Sequence, residues 1–157
     1  MDNSEMGNTL MKDSCESDKI LVKDLLKTVS MGSLAIDVTR EYVLSPVFGD
    51  YLKDLQSEYN SYNDKCVEFM RDNHVQEDVL SSVKEALQRG AIKMGMKGTK
   101  SDEKVAEQLL KGTNMGIDVI GKNLNQSEEY SPELKRLAED IESFLEKSEK
   151  ELRQWLK

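Results

Sequence analysis

At 157 residues and 17.9 kDa the chain fits one domain, and a domain of this size buries roughly 68–70% of its unfolded surface, enough for a core without staples. Its net charge of −8 and pI near 4.8 argue against nucleic acid as a partner, because phosphate binding depends on Lys/Arg clusters that release counterions. With 38% hydrophobic and 33% charged residues, two prolines and no period-two runs of Val, Ile, Tyr or Phe, the composition predicts an all-α fold.

Residues 1–17 are polar and are expected to form a flexible tail, leaving 18–157 as a single helical domain. From Ser17 or Asp18, either suited to an N-cap, the spacing of Val22, Leu25, Leu26, Val29, Ile36 and Val43 predicts a first helix to about Leu44. Ser45-Pro46 ends it, since proline disfavours helical geometry in the residue before it yet suits the start of a new helix. So short a link implies antiparallel helices.

The second helix, expected over about 47–73, has the clearest seam: Phe48, Leu52, Leu55, Tyr59, Tyr62, Cys66 and Phe69. A third, over about 77–96, places Leu80, Val83, Leu87, Ala91 and Met94 on one side, with Gly90 and Gly95 each costing up to ~1 kcal/mol relative to alanine. After Gly98-Thr99, Ser101 is the expected N-cap of a fourth helix whose first turn carries Asp102 and Glu103, running to about Leu124. A loop over 125–130 leads to Ser131-Pro132-Glu133, which reads as N-cap, proline at the first helical position and an acid in the first turn. The last helix carries Leu134, Leu137, Ile141, Phe144, Leu145, Leu152 and Trp155.

Two stretches look like copies of one helical hairpin. Leu25-Leu26-Lys27 with Met31-Gly32 reappears as Leu109-Leu110-Lys111 with Met115-Gly116, and Ile36-Asp37-Val38 as Ile117-Asp118-Val119. The seam of the second helix is likewise echoed by Leu134, Leu137, Ile141, Phe144 and Ser148 roughly 80 positions on, too long a period for a solenoid. Two hairpins packed into one bundle, with the third helix carrying the chain back along it, would follow.

On this helix pattern and duplication the chain resembles the ferritin-like family, and is similar to bacterial ferritin-like proteins and spore-coat-type helical bundles. The resemblance covers roughly 19–156 and implies an up-down four-helix bundle made of two similar hairpins with an additional crossover helix. Metal-binding members use inward carboxylates on two helices and Glu-x-x-His on the others, a motif that is missing here: Glu58 is followed by Ser61, Glu139 by Glu142, and the sole histidine, His74, ends the second helix. What remains for an Fe or Mn site is Asp37 and Asp118, paired by the repeat, with Glu58 and Asp140. Each stands beside a seam residue, so solvated flank positions are the simpler account.

Other features are read as structural. Tyr59 and Tyr62 are expected as core aromatics, Cys66 as a buried small hydrophobe, and His74 as a helix C-terminal residue. Lys93 to Lys100 is expected as a flexible corner rather than a binding patch, and the glycine-rich stretch Gly90 to Gly98 lacks a phosphate-loop ending. Cys15 and Cys66 do not make a disulfide framework, and the reduced cytoplasm is the expected compartment. No segment approaches the ~18–20 apolar residues that cross a bilayer, and Asp2, Glu5, Asp13, Glu16 and Asp18 stand where a signal peptide is basic and then apolar.

No catalytic constellation emerges, so the expected function is a non-catalytic helical bundle, acting by protein association or as a structural or stress-related component. A protein partner or a homo-oligomer suits it, with Met94, Met96 and Met115 as adaptable apolar surface. The enzyme-class alternative is the carboxylate-bridged Fe or Mn protein. A third reading is an apolar ligand pocket between the hairpins, in space left by Gly32, Ala35, Gly112, Gly116 and Gly121.

Overall fold

The structure is a computed structural model that describes residues 3–76, 82–126 and 129–156. Five α-helices succeed one another: α1 Asn3–Thr39, α2 Pro46–Asp72, α3 Ser82–Met96, α4 Asp102–Gln126 and α5 Pro132–Leu152. A turn of 3-10 helix follows α1 (Arg40–Tyr42) and another follows α5 (Arg153–Trp155); no strand occurs among the described residues. The expected all-α class is the observed one.

Boundaries differ from expectation where local signals compete. α1 begins at Asn3 rather than at Ser17 or Asp18, so the helix runs back through most of the stretch read as a flexible tail. Extending an existing helix adds one hydrogen bond per residue fixed, without a new nucleation cost, and no proline stands in 3–17 to stop it. Positions 77–81 of the third expected helix, Leu80 among them, lie outside the described residues, as do 127 and 128 of the expected loop.

The corners follow side-chain chemistry. Ser45 Oγ accepts the Phe48 N–H at 3.3 Å with Pro46 at the first helical position, and Ser101 Oγ accepts the Lys104 N–H at 3.2 Å. Ser131 holds the N-cap position of α5 but its side chain makes no cap bond; its Oγ is buried without a partner. Its backbone N–H instead donates to Asp18 Oδ1 at 3.0 Å. Beyond α2, Asn73 N–H returns to Phe69 O and His74 takes a left-handed φ of 55°, so His74 does lie at the helix C-terminus.

Contacts between named residues set the helix directions. Ser33 Oγ donates to Asn60 Oδ1 and Ser30 Oγ to Asn63 Oδ1, both at 2.8 Å, making α1 and α2 antiparallel. Asn123 Nδ2 donates to Asp24 at 2.9 Å while Ser101 N–H donates to Tyr42 O at 2.9 Å, making α4 antiparallel to α1. Tyr51 OH donates to Glu151 at 3.1 Å and the Tyr59 ring meets Phe144, which sets α5 against α2. α3 runs alongside α1 in the same direction, with Arg89 on Asp37 and Lys93 on Glu41. It thereby returns the chain from the end of α2 to the start of α4.

One apolar core joins these helices. Leu21, Leu25 and Ile36 of α1, Phe48 and Leu52 of α2, Ile120 of α4, and Leu134, Ile141, Leu145 and Leu152 of α5 are all essentially inaccessible to solvent. Each such side chain contributes roughly 1.5–3 kcal/mol of transfer free energy. Three glycines set close approaches, one of them Gly95 of α3 against the Gln108 side chain of α4. A Cβ at Gly32 would run into the Tyr59 ring of α2, and one at Gly116 would stand 2.7 Å from Thr28 Cγ2 and 3.1 Å from Leu145 Cδ1. In each hairpin, therefore, a glycine on the first helix admits a bulky side chain of the second.

Candidate functional site

The middle of the interior is an aromatic and hydroxyl plug. The Tyr59 ring meets Phe144 edge to face at 4.9 Å, and Tyr62 tilts onto the same ring at 5.1 Å with Lys65 Nζ 5.2 Å over its outer side. Burial pushes the Tyr59 hydroxyl up to about 12, a rise partly offset by the neighbouring Thr113 hydroxyl. Burial likewise pushes the Cys66 thiol up to about 12, which keeps it protonated and chemically quiet. The buried hydroxyls of Thr39, Thr113 and Ser148 donate to carbonyls one turn back, of Ala35, Leu109 and Phe144, at 2.7–2.8 Å.

This interior does not fit a di-metal centre. Asp37, Glu58, Asp118 and Asp140 are all exposed, and among the described residues no three His, Cys, Asp or Glu side chains come together. Asp37 takes the Arg89 guanidinium at 3.0 Å. Asp118 is not the counterpart of Asp37: in α1 the buried residue one turn beyond Gly32 is Ile36, and in α4 the one beyond Gly116 is Ile120, while Ile117 is only half-buried. The match of Ile36-Asp37-Val38 to Ile117-Asp118-Val119 is thus out of step by most of a turn. The glycine space is filled as well, by Tyr59 at Gly32 and by Thr28 and Leu145 at Gly116; Gly112 faces open space and Gly121 only Glu142.

The large concave feature lies outside the core, between α1, α2 and α3. This cleft encloses about 980 Å³. Its floor includes Leu26, Met31 and Leu34 of α1 with Val67 and Met70 of α2, and its polar wall Gln56, Asn63, Gln88 and Arg89. Arg89 donates to both Asp37 and Glu85, which raises its pKa, the Asp37 bond contributing most. α3 thus turns its polar side inward. Several of its apolar residues face solvent: Leu87 is 70% exposed and Met94 78%, with Ala86 and Ala91 exposed beside them. Met115 of α4 is also exposed, whereas Met96, expected at the surface, is fully buried.

Of the residues grouped on one side of α3, Leu87, Ala91 and Met94 are exposed, and Met94 and Met115 stand at the surface as expected; Leu80 lies outside the described residues. Asp18 and Asp102, read from sequence as an N-cap candidate and a first-turn acid, instead hold the corner of the other hairpin, a role the local pattern did not reveal. Among the described residues no helix is long and apolar enough to cross a membrane. Comparison with family models, with curated proteins and with solved structures gives no match to this chain.

Proposed function

We propose that this chain is a non-catalytic helical bundle of ferritin-like architecture that works by protein association, as a structural or stress-related component. The architecture is supported by the helix directions: two antiparallel pairs, α1 with α2 and α4 with α5, and a helix that returns between them. A duplicated hairpin origin is supported by the matched glycines, Gly32 and Gly116, each under a bulky residue of its own hairpin.

The observation that carries the association reading is the outward apolar stripe of α3. A helix that turns Leu87 and Met94 to water while its polar side lines a cleft leaves apolar area uncovered, and such patches mark docking faces. Methionine suits this role, because its flexible thioether adapts to its partner. The test is concentration-dependent mass by light scattering for the full chain and for Leu87→Glu, Met94→Glu. The native chain should associate with itself or retain a partner in a pull-down, and the double variant should lose this with its melting temperature unchanged. A strict monomer that retains no partner contradicts the reading.

A further inference from the structure

Two carboxylates reach across the molecule in the same way. Asp18 Oδ1 of α1 accepts the Ser131 N–H at 3.0 Å, at the corner between α4 and α5. Asp102 of α4 accepts the Leu44 N–H on Oδ1 at 2.7 Å and the Ser45 N–H on Oδ2 at 3.2 Å, at the corner between α1 and α2. Each clasped corner is a serine followed by proline at the first helical position, and each aspartate follows a serine. The N-terminal hairpin therefore holds the C-terminal one at one end of the molecule and is held by it at the other. Contacts in which one unit gives what it receives are the mark of a self-complementary, twofold interface.

The link between the hairpins is lightly fastened. Two of the pairs that join α3 to α1, Arg89 on Asp37 at 3.0 Å and Lys93 on Glu41 at 3.9 Å, lie in solvent and are worth little. Of its described side chains only Met96, at its last residue, is fully buried. Among the described residues positive φ occurs at His74, just beyond α2, and at Lys97 and Gly98, between α3 and α4.

We infer that the two hairpins are exchangeable, so that the kind of partner this surface fits is a second copy of the chain: Asp102 of one copy on the Leu44-Ser45 corner of the other, and Asp18 on its Ser131 corner. The contacts are the same within one chain or between two. The balance is then set by the effective concentration that the α3 link imposes against the concentration of the protein. This rests on the association reading only in taking association as the outcome; exchange itself is inferred from the reciprocal clasps.

The experiment uses full-length chains with Cys15→Ser, the buried Cys66 being kept. Thr28 and Gly116 face each other across α1 and α4 closely enough for paired cysteines to bridge. The Thr28→Cys, Gly116→Cys chain should close on itself. The two single variants, unfolded and refolded together under oxidation, should give a covalent heterodimer of native helicity whose share rises with concentration. A second pair, Asp24→Cys with Asn123→Cys, should do the same should Gly116→Cys fail to fold. Heterodimer no more abundant than from the exposed pair Lys53→Cys with Lys135→Cys overturns the inference, and so does failure of both intrachain pairs to close. Association that depends on Leu87 and Met94 without heterodimer would leave the α3 face standing and remove exchange.

Discussion

Gly32 and Gly90 both sit inside helices, yet their surroundings assign them opposite consequences. Alanine at Gly32 would push its methyl into the Tyr59 ring, an overpacking that costs about 1–3 kcal/mol and outweighs the better helix propensity. Alanine at Gly90 meets nothing within 4 Å and should stabilise by about 0.5–1 kcal/mol. At roughly 2–4 °C per kcal/mol for a chain of this size, the two variants should melt on opposite sides of the native protein. Tyr59 and Cys66 add a pH signature. Both bind their proton more tightly when folded than their ordinary values of 10.0 and 9.0, rising to about 12. Their stabilisation is complete below about pH 9 and is lost as pH climbs from there to about 12, while the unfolded chain ionises first. Melting temperature should fall over that window, and Tyr59→Phe should flatten the fall. Tyr59 was legible as a core aromatic because it lies on a strong seam. Asp118 was misplaced because a three-letter match in sequence carries no information on which turn of the helix it occupies.

Among the elements, α2 and α5 were legible because one broad apolar face can be satisfied only by the core, and most of both seams is buried, with Tyr62 and Leu137 half-buried at their edges. α3 was legible as a helix but not in orientation. Periodicity shows that Leu87, Ala91 and Met94 share a side; it does not show which side meets the bundle, and here Gln88 and Arg89 line the cleft. Two variants separate its fastenings. Arg89→Ala, which breaks only a solvated pair, should leave thermal stability unchanged, whereas Met96→Ala should cost about 2–5 kcal/mol by opening the core at the end of α3. The cleft could not be read from sequence, since Met31, Leu34 and Val67 lie off the main seams and acquire meaning only when α3 walls them in.

At the scale of the whole molecule, the two hairpins share one interior and are clasped at opposite ends by Asp18 and Asp102. These residues carry local N-cap signals in the sequence, and their actual partners are backbone groups of distant corners, which no local pattern reveals. Because the clasps are far apart and share no partner, their losses should add. Thermal unfolding of Asp18→Ala, Asp102→Ala and the double variant tests this most directly. Each single variant should lose about 1–3 kcal/mol through unpaired backbone donors, and the double variant should lose the sum in one cooperative transition. A double variant that melts with the native protein, or one whose unfolding splits into two separate transitions, would contradict a single core clasped from both ends.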